Sequence, residues 1–183
     1  MPTSDERDRF ERLMLPHLDA AYGLARWMTK NDELANDAVQ EAYLRAFRFF
    51  GSLRGDDGRP WLLRIVRNAC LELMEREQFS GAEAFDEERH DEAAAGAVVV
   101  LPVNPEAAAI ARAERQLVRD CVAALPRDFR EVIVLRELHE CSYREIADIV
   151  GVPIGTVMSR LARARRLLQG QISQRVRRDE TGT

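Results

Sequence analysis

The sequence predicts an all-α protein made of two small helical blocks joined by an acidic connector. Three observations carry this. Apolar residues recur every three or four positions in both halves, while β-branched alternation is confined to Val98–Val100. Gly and Pro fall between the periodic stretches rather than inside them. Charge is also partitioned: of 183 residues, 1–78 carry a net −2, 79–116 a net −5 and 117–183 a net +3.

In the first block, Phe10, Leu13, Met14, Leu18, Ala21, Leu24, Ala25 and Met28 form a stripe at helical spacing. Pro16 interrupts it and should kink or restart the helix. Asn31-Asp32 is a start signal for a second helix carrying Leu34, Ala38, Ala42, Tyr43 and Ala46 on one face and ending near Gly51. The loop from Ser52 to Arg59 leads to Pro60, whose fixed φ suits a first helical position. The third helix should carry Trp61, Leu62, Ile65, Val66, Ala69, Cys70 and Leu73 inward. From about Phe79 to Asn104 periodicity fails and acid, Ala and Gly dominate, which reads as a flexible linker. The expected division is therefore 1–78, a linker over 79–105, a second domain over 106–170 and a basic, disordered tail over 171–183.

The second block predicts helices over 106–124, 127–138, 142–150 and 153–169, the first of which could begin early within Pro105–Gln116. Ser142-Tyr143-Arg144-Glu145 is a capping box, in which the Ser hydroxyl takes the Glu145 amide and the carboxylate reaches back. Gly151 closes that short helix and Pro153 opens the next. A short helix, a tight Gly turn and a longer basic helix make a helix-turn-helix.

At 100° per residue, Ile154, Val157, Leu161, Ala164 and Leu168 share a narrow arc that should pack on Ile146, Ile149 and Val150. Gly155, Ser159, Ala162, Arg163 and Arg166 lie opposite, with Thr156 and Arg160 flanking. Residues 153–178 hold seven Arg and no acid, although the whole chain has a net charge of −4. A solvated helix face is usually mixed in sign, so this stretch points to a polyanion. Thr156, Ser159 and Arg163 sit where a recognition helix reads base edges. Arg160 and Arg166 suit phosphates, and Ser142, Tyr143 and Arg144 stand at a helix start that can also receive phosphate.

Other classes drop out. The 3 Cys include no C-x-x-C pair, so neither a disulfide framework nor zinc-ribbon spacing is expected. His139 and Cys141 are close but make only a two-ligand fragment; His17 and His90 lie far apart. No metal, cofactor or enzymatic constellation is expected, and Cys70 and Cys121 read as small buried hydrophobes. The longest apolar run, Ala93 to Val103, is too short for a bilayer and holds Gly96 and Pro102. The first residues are charged where a signal peptide needs apolar ones, so a reducing, cytoplasmic setting is expected.

Several segments then resemble a known family, the extracytoplasmic-function (ECF) sigma factors of bacterial RNA polymerase. Residues 129–136 (FREVIVLR), 142–147 (SYREIA) and 151–165 (GVPIGTVMSRLARAR) look like its region 4. Residues 37–47 (DAVQEAYLRAF) and 61–68 (WLLRIVRN) look like its region 2. The resemblance implies a region 2 bundle and a region 4 helix-turn-helix, which read the −10 and −35 promoter elements. It places the polymerase-binding face, for a coiled coil of the β′ subunit, on Asp37, Gln40, Glu41 and Leu44. It also places capture of a flipped −10 base on the Ser52–Arg59 loop with Arg64, Arg67 and Asn68. Asn68 can pair with an exposed base edge, and equally can be a plain surface Asn. Trp61 reads as core.

Two departures matter. Glu72, Glu75 and Glu77 outnumber Arg76 where relatives are basic, which argues against a strong −10 duplex contact there. Met158 stands where many relatives carry Arg, so their −35 specificity does not transfer. Promoter elements about 17 base pairs apart lie roughly 58 Å from one another at ~3.4 Å per step. A connector of about 25 residues reaches roughly 85 Å. The family also implies promoter DNA and core polymerase as partners and an anti-sigma protein as inhibitor. Two rival readings are a helix-turn-helix regulator that ignores the polymerase, and a decoy that titrates an anti-sigma protein. The first leaves the front block without a task; the second leaves the arginines without one.

Overall fold

A computed structural model of the chain describes residues 4–80 and 104–181. The connector, read above as flexible, lies almost wholly outside the described residues. Helix α1 (Ser4–Met14) passes through a 3-10 turn at Leu15–His17, where Pro16 sits, into α2 (Leu18–Thr29). The expected break is thus a single tight turn. The Asn31 side chain accepts the Leu34 amide at 3.0 Å and caps α3 (Asp32–Arg48). A 3-10 turn at Phe50–Ser52 and the following loop lead to α4 (Arg59–Ser80).

Asn104 caps α5 (Pro105–Ala123) by accepting the Glu106 amide at 3.0 Å. Then come α6 (Arg127–Ile133) and, without a break, a widened π-helical turn at Val134–Leu138. Helices α7 (Tyr143–Val150) and α8 (Ile154–Thr181) complete the chain. Where a disordered tail is expected over 171–183, α8 runs as far as Thr181. Within that extension Arg175 reaches Asp120 of α5 at 3.2 Å, a contact 55 residues away in sequence.

Burial follows the periodic stripes with informative exceptions. Met14, Ala21, Leu24, Ala25, Ala38, Ala42 and Ala46 are fully buried, as are Val157 and Ala164 of α8. Leu18 and Ile154, both placed inward from the helical wheel, are exposed; each lies at the first residue of its helix, ahead of the packed turns. Leu63 was not on the expected inward face of α4 and is completely buried. The reason is that α4 packs against α2 and α3 and also against α7 of the second block. Both blocks thereby share one continuous apolar core, running from Phe10 through Leu62 and Val66 to Ile146 and Leu161.

Candidate nucleic-acid and polymerase interfaces

The best-defined piece is the helix-turn-helix. The Ser142 hydroxyl accepts the Glu145 amide at 3.2 Å, and the Glu145 carboxylate accepts the Ser142 amide at 2.6 Å. Those bonds to Ser142 hold the Glu145 carboxyl below its ordinary range. Gly151 closes α7 at φ 75°, a left-handed conformation that costs Gly little and a β-carbon much. The turn angles α8 so that Val157, Leu161 and Ala164 face inward and Gly155, Ser159, Ala162, Arg163 and Arg166 face solvent.

The candidate −35 residues do not all stand in the same condition. Arg144, Ser159, Arg163 and Arg166 are exposed, and Arg163 and Arg166 have no side-chain partner among the described residues. Thr156 is half-buried, and its carbonyl accepts the Ser159 hydroxyl at 3.0 Å. Tyr143 is half-buried, with the Arg136 guanidinium 5.2 Å from its ring centre. Arg160, expected to meet a phosphate, instead holds Asp128 at 2.6 Å. That carboxylate, one helix away, was invisible to a wheel drawn for α8 alone. Arg165 similarly holds Glu137 at 2.8 Å. The basic face therefore narrows to Arg144, Arg163 and Arg166, flanked by small residues that permit close approach.

On the first block, α3 presents Asp37, Gln40 and Leu44 to solvent, with Leu44 64% exposed. Glu41 is half-buried because Arg45 binds it at 2.7 Å. Arg45 simultaneously grips both oxygens of Glu72 on α4, at 2.8 and 2.7 Å. That bidentate pair lowers the Glu72 carboxyl, and it gives this acidic residue a positioning task between α3 and α4. Phe47 and Phe49, at the end of α3, are also exposed, and neither was singled out from the sequence.

The −10 candidates are divided by the second block. Arg64 and Asn68 are exposed. Arg67 is not: its side chain is only 15% exposed and pairs with Glu131 of α6 through Nε–Oε1 and a second contact of 3.3 Å. Arg59, at the start of α4, donates to the backbone carbonyl of His139. The His139 ring is buried beside Gly23 of α2, where a β-carbon would come within 3.3 Å of it. Burial, reinforced by the Arg59 charge, pulls the imidazole down to about 4. Its Nε2 has no hydrogen-bond partner among the described residues. Leu24, Trp27 and Met28 of α2 face Arg127, Arg130, Glu131 and Val134 across the same seam.

Among the described residues no group of three or more His, Cys, Asp or Glu side chains could hold a metal, and no helix is long and apolar enough to cross a membrane. Cys70, Cys121 and Cys141 are buried free thiols; burial pushes Cys70 up to about 12 and Cys141 up to about 11, which makes both poor nucleophiles.

Comparison with known proteins places this geometry. Residues 13–80 match the family model of Sigma-70 region 2, and residues 115–168 match that of Sigma-70, region 4. The chain is similar to the ECF RNA polymerase sigma-E factor of Escherichia coli (strain K12), at 37% identity over 147 residues, covering 78% of this chain and 75% of the relative. It is also similar to the ECF RNA polymerase sigma-E factor of Haemophilus influenzae, at 33% identity over 154 residues, 81% of this chain and 79% of the relative. Among solved structures, the sigma factor RpoE in complex with the anti-sigma factor NepR from Bartonella quintana matches with a TM-score of 0.70 and 27% identity. That match covers 90% of this chain and 96% of that one. CnrH, in complex with the cytosolic domain of CnrY, shares the fold with a TM-score of 0.62 at 24% identity, over 90% of this chain and 88% of that one.

Proposed function

The chain belongs to the ECF sigma factors of the sigma-70 family, and from that premise we propose how its residues divide the work of directing RNA polymerase to promoters. As a sigma factor it acts by binding, and the polymerase performs the chemistry. Region 4 engages the −35 element through α8. Arg163 and Ser159 meet base edges, Arg166 and Arg144 meet phosphates, and the amides at the start of α7, beside Ser142 and Tyr143, meet another phosphate. Thr156 lines the same face.

Region 2 engages core polymerase through the α3 face of Asp37, Gln40, Glu41 and Leu44, with a β′ coiled coil as the partner surface. Arg64, Arg67 and Asn68 of α4, with the loop from Ser52 to Arg59, take the opened −10 strand. One relative in fold is solved with the anti-sigma factor NepR and another with the cytosolic domain of CnrY, and an anti-sigma protein is the expected regulator of this chain.

The observation that carries this division is the exposed Arg163–Arg166 edge, without a side-chain partner among the described residues, on a helix that buries Val157, Leu161 and Ala164 on its opposite face. The test is transcription in vitro with core polymerase on a randomised promoter library. Start sites that appear only with this protein are expected, and they should share a −35 motif. A folded, inhibitor-free protein that produces no dependent initiation would defeat the proposal. Stable association with core polymerase in the absence of DNA separates it from a regulator that binds DNA alone.

A further inference from the structure

Glu41, Arg45 and Glu72 form a line of charges from the proposed polymerase face of α3 across to α4. All three nitrogens of the Arg45 guanidinium are committed. Nη1 and Nη2 donate to the two oxygens of Glu72 at 2.8 and 2.7 Å, and Nε donates to Oε1 of Glu41 at 2.7 Å. Both carboxylates hold the guanidinium pKa above its ordinary value, the Glu72 bond most strongly. A planar fork gripped on its two-pronged edge has a fixed orientation, so the direction of its Nε–H is set by a residue of another helix. Glu41 gives one oxygen to Arg45, and its Oε2 has no partner among the described residues, on a side chain that is 45% exposed. An ordinary exposed pair at this i,i+4 spacing is loose, because two long side chains must be ordered for a screened attraction. Here α4 has already immobilised the arginine, so less freedom is lost in holding Glu41.

We propose that Arg45 and Glu72 are positioning residues of the polymerase-binding face: gripped by Glu72, Arg45 holds Glu41 by one carboxylate oxygen and leaves the other for a donor on core polymerase. This rests on the reading of α3 as the polymerase surface. A Glu41 held in one rotamer before contact spares the cost of ordering it during binding. Without the charge on Glu72, the freed fork of Arg45 would turn to its remaining neighbour and take both Glu41 oxygens in a two-pronged pair. Polymerase would then have to break that pair first. The face would bind more weakly although none of its own residues had changed. Helix α4, which carries the −10 candidates Arg64 and Asn68, thus also sets the geometry of the polymerase site.

The test measures binding of the full chain to core polymerase in the absence of DNA. Glu72→Gln should weaken it by about tenfold, the effect of misplacing one hydrogen bond to a charged group. In a Glu41→Gln background the same change should have no further effect, because the residue through which Glu72 acts is already gone. A role confined to holding α3 against α4 would instead add its loss in either background. The swap Arg45→Glu with Glu72→Arg carries the test if Glu72→Gln fails to fold. It rebuilds an ion pair between the helices at unchanged net charge but sets a carboxylate one turn from Glu41, where like charges repel, so core binding should stay weak. Wild-type affinity in Glu72→Gln, additive losses in the double variant, or a swap that binds like the wild type would overturn the positioning role. Leu44→Asp, on the exposed face itself, checks the premise separately: if it leaves core affinity unchanged, α3 is not the polymerase surface and that reading falls.

Discussion

Helices α4 and α8 both carry arginines assigned to nucleic acid, yet they meet the solvent in opposite ways. On α8, Arg163 and Arg166 project from a helix whose far side is buried through Val157, Leu161 and Ala164. On α4, apolar burial spreads over Leu62, Leu63, Val66, Ala69 and Cys70, because neighbours press on it from two blocks. Its Arg67 is spent on Glu131. A residue type and its spacing thus determine what a side chain can bind. Packing from a distant part of the chain determines whether it is available.

The largest expected effect comes from removing the anchor of the open helix. Leu161 is 1% exposed, and Leu161→Ala leaves a cavity beneath the recognition face; a loss of about 2–5 kcal/mol is expected. Urea unfolding should show a lower midpoint, and −35 recognition should fall with it. If the variant keeps wild-type stability, α8 is not held as the contrast requires.

Next comes Arg163→Ala, which touches the open face without disturbing the core. A base-edge contact of this kind contributes about 1–3 kcal/mol. The −35 preference should relax at one position, while association with core polymerase stays at the wild-type level. Equal loss of both would erase the distinction between the two helices. The matching change at Arg166 should weaken binding evenly across sequences and reduce the salt slope by about 0.9.

Ser142→Ala removes one half of a reciprocal cap and should cost about 1 kcal/mol. The effect should appear in thermal unfolding and as a modest loss of DNA affinity, with α4 contacts unchanged. This cap is also where sequence was most legible. Ser142, Glu145, Gly151 and Pro153 are all within a dozen positions, and local chemistry alone determines their geometry. The same holds for Asn31 and for the break at Pro16. Legibility failed where the cause was remote. Arg67 and Glu131 are 64 residues apart, so no local pattern announces their pairing. Arg160 was read as a phosphate ligand because the wheel of α8 does not include Asp128 of α6. The extended α8 meets Asp120 of α5, 55 residues from Arg175, and the π-helical turn at Val134–Leu138 has the same apolar spacing as an ordinary helix. Glu72 looked like a defect in a basic helix, and only three dimensions show Arg45 against it.

The smallest effect probes the covered helix through His139. In the folded chain burial and the Arg59 charge hold its imidazole at about 4, against 6.5 for an exposed ring. The groups known to face it are the Arg59 guanidinium, which bonds its carbonyl, the Cys141 thiol, which donates to the same oxygen at 3.7 Å, and the Gly23 backbone of α2. The unfolded chain therefore binds more protons between those two values. The contribution of this site to stability is fully present above pH 6.5 and is lost as pH falls toward 4, by at most one proton. Between pH 7 and 6 the folding equilibrium constant should fall by about threefold from this group, read from urea unfolding. His139→Gln should reduce that dependence to the share of His17, whose imidazole burial and the Arg59 charge also lower. A pH dependence undiminished by the substitution would mean that His139 does not lie buried at the seam.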